Sequence, residues 1–112
     1  MAQTKQRKAT LKTLTPSQLK SRKQQLEIID VRGFLEYLFG HIPGAKRMSR
    51  DRILQELPKD RAIVVTCMSG ARSAALGHWL VAQGYQKVYN LQGGCMGWQQ
   101  SGYGLKQGRS EA

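Results

Sequence analysis

Residues Ala62-Ile63-Val64-Val65-Thr66 run without a break into Cys67-Met68-Ser69-Gly70-Ala71-Arg72-Ser73 and then into a helical pattern over 74–83. A β-rich run with no polar face reads as a strand covered on both sides. A strand feeding straight into a helix is half of a crossover unit, and such units build parallel sheets with helices on both faces. The rest of the chain repeats the alternation. A short edge strand is expected over 11–14, and Thr15-Pro16-Ser17-Gln18 then opens a helix to about residue 23. Thr15 is its N-cap, Gln18 reaches back to close a capping box, and Pro16 suits the first helical position. A second strand over 26–31 carries Asp30 near its end, and a helix over 34–39 stops at Gly40. His41-Ile42-Pro43-Gly44-Ala45 is a turn, Ser49 caps a helix over 50–57, and Pro58 ends it. Beyond the cysteine loop, Leu76, Trp79, Leu80 and Ala75 form a buried helical stripe closed by Gly84. A last strand over 88–91 runs into Gly93-Gly94 and a helical turn through Trp98.

The chemistry concentrates where the strand 62–66 becomes a helix. Unpaired N–H groups of a first helical turn point outward there and the helix dipole favours negative charge, which suits a thiolate and the anion it reacts with. Gly70 permits a tight curve, Arg72 adds a fixed positive charge, and small Ser69, Ala71 and Ser73 leave the N–H groups uncovered. A buried structural cysteine needs no such setting. In open parallel sheets ligands gather beyond the carboxyl ends of the strands. The turn after Asp30, the Cys67 loop and the Gly93-Gly94 turn are expected on that edge, with the loop after Met48 as a fourth candidate.

Charge and cysteine usage narrow the class. Of 112 residues, 18 are Lys or Arg and 7 are Asp or Glu, a net charge of +11. No acidic residue precedes Glu27, whereas Lys5, Arg7, Lys8, Lys12, Lys20, Arg22 and Lys23 do, and Lys46, Arg47, Arg50 and Arg52 form a second cluster offset only by Asp51. Such clusters are most often solvated faces, although they also suit an acidic protein, an anionic substrate or, less readily, nucleic acid. Residues 1–9 read as a flexible basic arm, 10–103 as one domain and 104–112 as a polar tail. No apolar run approaches a membrane span and no secretory pattern is visible, so a soluble, cytoplasmic protein without membrane contact is expected. Two cysteines and two histidines make neither a disulfide framework nor a metal site, and no cofactor is called for.

Read in order, several stretches resemble single-domain rhodaneses over about residues 10–103. They are Asp30-Val31-Arg32 with Glu36-Tyr37, Gly40-His41-Ile42-Pro43-Gly44-Ala45, the loop 67–73, Gly84-Tyr85, Val88-Tyr89-Asn90-Leu91, and Gly93-Gly94 with Trp98. The resemblance implies a rhodanese-like α/β fold with a five-stranded parallel sheet flanked by helices on both faces. It also implies a sulfurtransferase that moves sulfane sulfur from thiosulfate or a persulfide donor to a thiol, or to cyanide, through a persulfide on Cys67. Cys67 is then the nucleophile and Arg72 gives loop rigidity and anion attraction. The N–H groups of Met68, Ser69, Gly70, Ala71 and Ser73 would surround the terminal sulfur. The second loop position is Met68, where thiosulfate-using members often carry a basic residue, which leaves a protein or small-molecule persulfide as donor. Arg47 and Ser49 stand where the family tends to have Asn and Pro, so Arg47 is a candidate to supply the missing charge, with Arg32 a further anion-attracting candidate.

Other residues have plainer readings. Asp30 and Arg32 are expected as a hydrogen-bonded pair fixing the strand-end turn, a structural use of the Asp that the family shares. His41 is expected to satisfy a buried backbone group, His78 to sit in solvent, and Trp79 and Trp98 to be core aromatics. Cys95 is expected to fill a small apolar slot, the functional alternative being a resolving thiol that closes a Cys67–Cys95 disulfide, which requires Cα atoms within roughly 7 Å. Two competing functions are carried. One is a sulfur-carrier or regulatory module that docks an acidic protein or RNA. The other is a cysteine-based phosphatase or arsenate reductase, disfavoured because four residues separate Cys67 from Arg72, one fewer than in Cys-x5-Arg phosphatases.

Overall fold

The computed structural model describes residues 9–109. Four strands, β1 (Lys12–Leu14), β2 (Glu27–Asp30), β3 (Ala62–Thr66) and β4 (Lys87–Leu91), form one sheet in the order β1-β4-β3-β2. Every pair is parallel, with Thr13 opposite Asn90, Ile63 opposite Val88 and Ile28 opposite Val64. Among the described residues four α-helices lie between the strands, α1 (Pro16–Arg22), α2 (Phe34–Phe39), α3 (Arg50–Glu56) and α4 (Ala71–Ala82), and a fifth, α5 (Gly94–Gln100), follows β4.

The period of two along each strand divides the apolar side chains between the two faces of the sheet. Ile28, Val64 and Leu91 pack with Leu19 of α1, Tyr37 of α2 and Cys95 and Trp98 of α5. Ile29, Ile63, Val65 and Val88 pack with Ile53 of α3, Leu76 and Leu80 of α4, and Tyr85. Ile29, Ile63, Val64 and Val65 have no exposed surface, as a doubly covered sheet requires. The capping box read from the sequence is present: the Gln18 N–H donates to Thr15 Oγ1 at 3.2 Å, and the Thr15 N–H to Gln18 Oε1 at 2.9 Å. Ser49 Oγ accepts the Arg52 N–H at 3.1 Å at the head of α3.

The expected five-stranded sheet is corrected to four. At the open edge of β2 only a single parallel bridge forms: the Lys46 N–H donates to Ile28 O at 2.9 Å and the Asp30 N–H to Lys46 O at 2.8 Å. The Pro43-Gly44 turn delivers the chain to that edge. Beyond Lys46 the ladder ends, and Arg47 turns its Nε to the Arg32 carbonyl at 3.0 Å. The helix after the loop also differs from its expected span, starting at Ala71 rather than residue 74 because Gly70, at φ +105°, makes the reversal in one residue. Arg72 and Ser73 are therefore helical, and Ala75, expected in the buried stripe, is exposed.

The segment expected as a polar tail is partly docked. His41 and Lys106 exchange backbone hydrogen bonds at 2.9 and 2.7 Å, the Gly108 N–H donates to Leu38 O at 2.9 Å, and Leu105 packs on the first core. The packed body thus continues past Tyr103. The basic arm expected over 1–9 lies outside the described residues except for Ala9. No helix among the described residues is long and apolar enough to cross a membrane.

Candidate active site

Because all four strands run the same way, their carboxyl ends share one edge, and Cys67 is the first residue past β3. Its side chain is buried, 1% exposed, beneath the loop that it begins. Three donor groups surround Sγ: the Gly70 N–H at 3.1 Å, the Ser73 N–H at 3.4 Å and, also at 3.4 Å, the Ser73 hydroxyl, whose single proton is shared with Asn90 Oδ1. Burial pushes the Cys67 thiol up. The Ser73 hydroxyl and the N–H groups of Ser73, Gly70 and Ser69 more than offset this, and the thiol lies below its ordinary range. A negatively charged sulfur at this point meets donors already in place.

The loop holds that shape because the strand β4 and the helix α5 brace it. The N–H groups of Cys95 and Met96, in the first turn of α5, donate to Cys67 O at 2.8 Å and to Met68 O at 2.9 Å. The carbonyls of Cys67 and Met68 are thereby hydrogen-bonded to α5. Gly94 makes this approach possible: a Cβ there would lie 2.7 Å from the Met68 oxygen, and its φ of +59° disfavours other residues. On the β4 side, Asn90 Nδ2 donates to Gly70 O at 2.9 Å, and Asn90 Oδ1 accepts from the Ser73 hydroxyl at 2.6 Å. Asn90 was not singled out by the sequence reading. Its signal was there, a strand-averse amide in the middle of the run Lys87–Leu91.

The remaining site candidates divide by where their side chains go. Met68 and Ser69 are exposed on the outer side of the loop, Met68 at 39%. Arg72 does not turn inward: its two terminal nitrogens donate to Glu36 of α2 at 3.3 Å each, tying the head of α4 to the α2 helix. Those bonds, together with the Gly33 N–H, hold the Glu36 carboxyl below the usual range. Arg32 is 3% exposed and spent on Asp30, through a two-pronged contact of 2.9–3.2 Å, and on the Gly40 carbonyl at 2.6 Å. This is the turn-fixing pair read from the sequence, and the same Arg32 also contributes to the lining of the cleft beside the loop. His41 behaves as expected, its Nδ1 lying 2.9 Å from Tyr37 O with the two rings stacked at 3.8 Å. His78 is exposed, and Trp79 packs one side on the second core while the Arg50 guanidinium lies 4.8 Å from its ring centroid.

Both cysteines are free thiols. Cys95 is adjacent to Cys67 through its backbone, but its side chain belongs to the first core with Trp98 and Leu91. Burial first, then the nearby Asp30 carboxylate, push its thiol up to about 11. Arg47, exposed, borders a cleft of about 540 Å³ that also includes Arg50, Arg52 and Arg72.

A family model described as "Rhodanese-like domain" matches residues 15–101. The chain belongs to the rhodanese-like family. Among curated relatives of this rhodanese-like chain, a protein named "Sulfurtransferase" from Allochromatium vinosum is 40% identical over 78 residues, 67% of this chain and 73% of that one. A "Thiosulfate sulfurtransferase GlpE" from Pseudoalteromonas translucida is 34% identical over 80 residues, 69% of this chain and 76% of the relative. The crystal structure of a rhodanese-like domain protein from Staphylococcus aureus superposes with a TM-score of 0.69 at 32% identity, covering 86% of this chain and 97% of that one. Its fold is thus the rhodanese-like α/β fold, with the sheet held to four strands.

Proposed function

We propose that this chain is a rhodanese-type sulfurtransferase in which Cys67 carries the sulfur. The Cys67 thiolate attacks the outer sulfur of thiosulfate or of a persulfide. The new Sγ–S bond forms as the donor's S–S bond breaks, and sulfite or the donor's thiolate leaves. An acceptor thiolate, or cyanide, then attacks the outer sulfur and Cys67 departs as thiolate. The convergence of three donors on Cys67 Sγ carries this reading, because both the thiolate and the terminal persulfide sulfur are anions that such donors stabilise. The names of the curated relatives support the same class of reaction.

Arg72 acts by holding α4 against α2 and by placing a charge at the loop's outer rim. Its outward aim disfavours phosphate chemistry, in which a loop arginine has to face the bound anion. Cys95 serves as core packing rather than as a resolving thiol, since its thiolate is scarce near neutral pH. The uncharged Met68 favours a persulfide over thiosulfate as the natural donor. Incubation with either donor followed by intact-mass measurement tests the reading: the protein gains the mass of one sulfur atom, and Cys67→Ser does not. No gain with any donor refutes it.

A further inference from the structure

The cleft beside the loop takes no part in the bond changes at Cys67 just described, since Cys67 does not line it. It lies between the stretch that follows Lys46 and the head of α4. Arg47, Arg50, Arg52 and Arg72 wall it, over an apolar floor to which Ala75 and Leu76 contribute. Cys67 does not line it, yet Arg72 belongs both to the cleft and to the Cys67 loop, so the cleft begins where the loop ends.

Its charge is unbalanced. Arg72 is paired with Glu36 and Arg52 with Glu56, while Asp30, the one carboxylate in the lining, is taken by Arg32. Arg47 and Arg50 have no carboxylate partner among the described residues. Arg47 donates Nε to the Arg32 carbonyl and lies 5.7 Å from the Phe34 ring centroid, and Arg50 stacks on Trp79. These contacts orient the guanidinium groups without neutralising them, and a concave wall over apolar atoms concentrates their field. Planar guanidinium forks suit carboxylates.

The surface next to the cleft points to the kind of molecule that brings them. Phe34, 45% exposed, lies against Arg47, and Leu35, 64% exposed, adjoins Glu36, the partner of Arg72. A small anion has no use for such apolar surface around its site, whereas a polypeptide with acidic and apolar residues covers both. We propose that this cleft docks an acidic segment of a protein that exchanges sulfur with Cys67, holding that protein's cysteine over the loop. The proposal rests on the sulfurtransferase reading and names the class of its partner. In the exchange the partner's thiolate attacks the outer sulfur of the Cys67 persulfide, the S–S bond to Cys67 breaks, Cys67 leaves as thiolate and the partner leaves as persulfide.

The test uses full-length protein loaded with persulfide, the loading verified by intact mass. Discharge rates are measured with two synthetic single-cysteine peptides of equal apolar content, one flanked by glutamates and one by glutamines. Each rate is divided by the same peptide's rate with a small-molecule disulfide, which removes differences in thiol reactivity. At low salt the glutamate peptide is expected to be favoured about tenfold, with the preference fading in high salt. In a double Arg47→Glu, Arg50→Glu protein it should reverse. Equal normalised rates in the wild type, a preference that survives charge reversal, or its abolition by an oligonucleotide at concentrations below the peptide's own each overturn the assignment. Equal rates with inhibition of both by inorganic phosphate would mark the cleft as a small-anion site instead. Failure to load Cys67 at all is seen before any peptide is added, and it refutes the sulfurtransferase reading rather than the docking one.

Discussion

Replacing Ser73 by Ala isolates the side-chain contribution to the Cys67 thiolate, since the hydroxyl is lost while the backbone N–H of residue 73 stays. A hydrogen bond to a charged group contributes about 1.5–3 kcal/mol. The Ser73 hydroxyl has one proton, for which Asn90 Oδ1 at 2.6 Å, Gly70 O at 3.3 Å and Sγ at 3.4 Å compete. Serving the thiolate therefore costs the contact with Asn90, and the low end of that range applies. About 1.4 kcal/mol corresponds to one pKa unit. The Cys67 thiol should accordingly rise by about one unit in Ser73→Ala. Reactivity follows the thiolate fraction, so below both pKa values the variant should react about tenfold slower, and well above both the rates should converge. The assay is the pH dependence of Cys67 alkylation by iodoacetamide, followed by intact mass, with persulfide loading measured over the same pH series. A thermal melt shows that the variant is folded. A midpoint that moves by less than about 0.3 unit, or moves downward, refutes the assignment of Ser73 as the main side-chain donor.

Four further outcomes are expected. At pH 8 iodoacetamide should label Cys67 and leave Cys95 largely unmodified, because a thiol near 11 is only about one-thousandth ionised there; peptide mapping showing equal labelling would contradict the environment described for Cys95. Asp30→Ala strands the buried Arg32 charge and should lower stability by about 3–5 kcal/mol, read from urea denaturation; a loss under about 1 kcal/mol would mean that the pair does not fix the turn. Gly94→Ala forces a left-handed φ on a residue with a Cβ and presses it on the Met68 carbonyl, so the melting temperature should fall by about 10 °C or more and persulfide loading should fall with it. Arg47→Ala should raise the thiosulfate KM about threefold or more with a smaller change in kcat, and an unchanged KM would show that Arg47 does not supply the charge Met68 lacks.

Local chemistry carried much of the fold into the sequence. Thr15, Gln18 and Pro16 set the start of α1 through contacts three residues apart, and the unbroken apolar run Ala62–Thr66 required cover on both faces wherever its neighbours came from. Cys67, Gly70 and Ser73 were legible as an anion-holding loop for the same reason: a helix N-terminus directly after a strand is defined within a few residues. The Asp30–Arg32 pair, two positions apart, was readable too.

What the sequence left undecided depends on residues far apart in the chain. Whether residues near Lys46 make a strand or one bridge depends on how the Pro43-Gly44 turn meets β2, and the answer was four strands rather than five. Arg72 was read as giving loop rigidity and anion attraction, but the partner that holds it, Glu36, is 36 positions away and could not be named from the sequence. Asn90 reached Ser73 and Gly70 only because β4 lies beside β3, and the stretch beyond Tyr103 docked only because His41 offered an unpaired backbone edge. The sequence by itself determined that the Cys67 thiol would sit among donors, since the N–H groups around it belong to its near neighbours. Tertiary structure alone decided what steadies those donors and which charges stay unpaired beside them, because both follow from long-range contacts that no local pattern encodes.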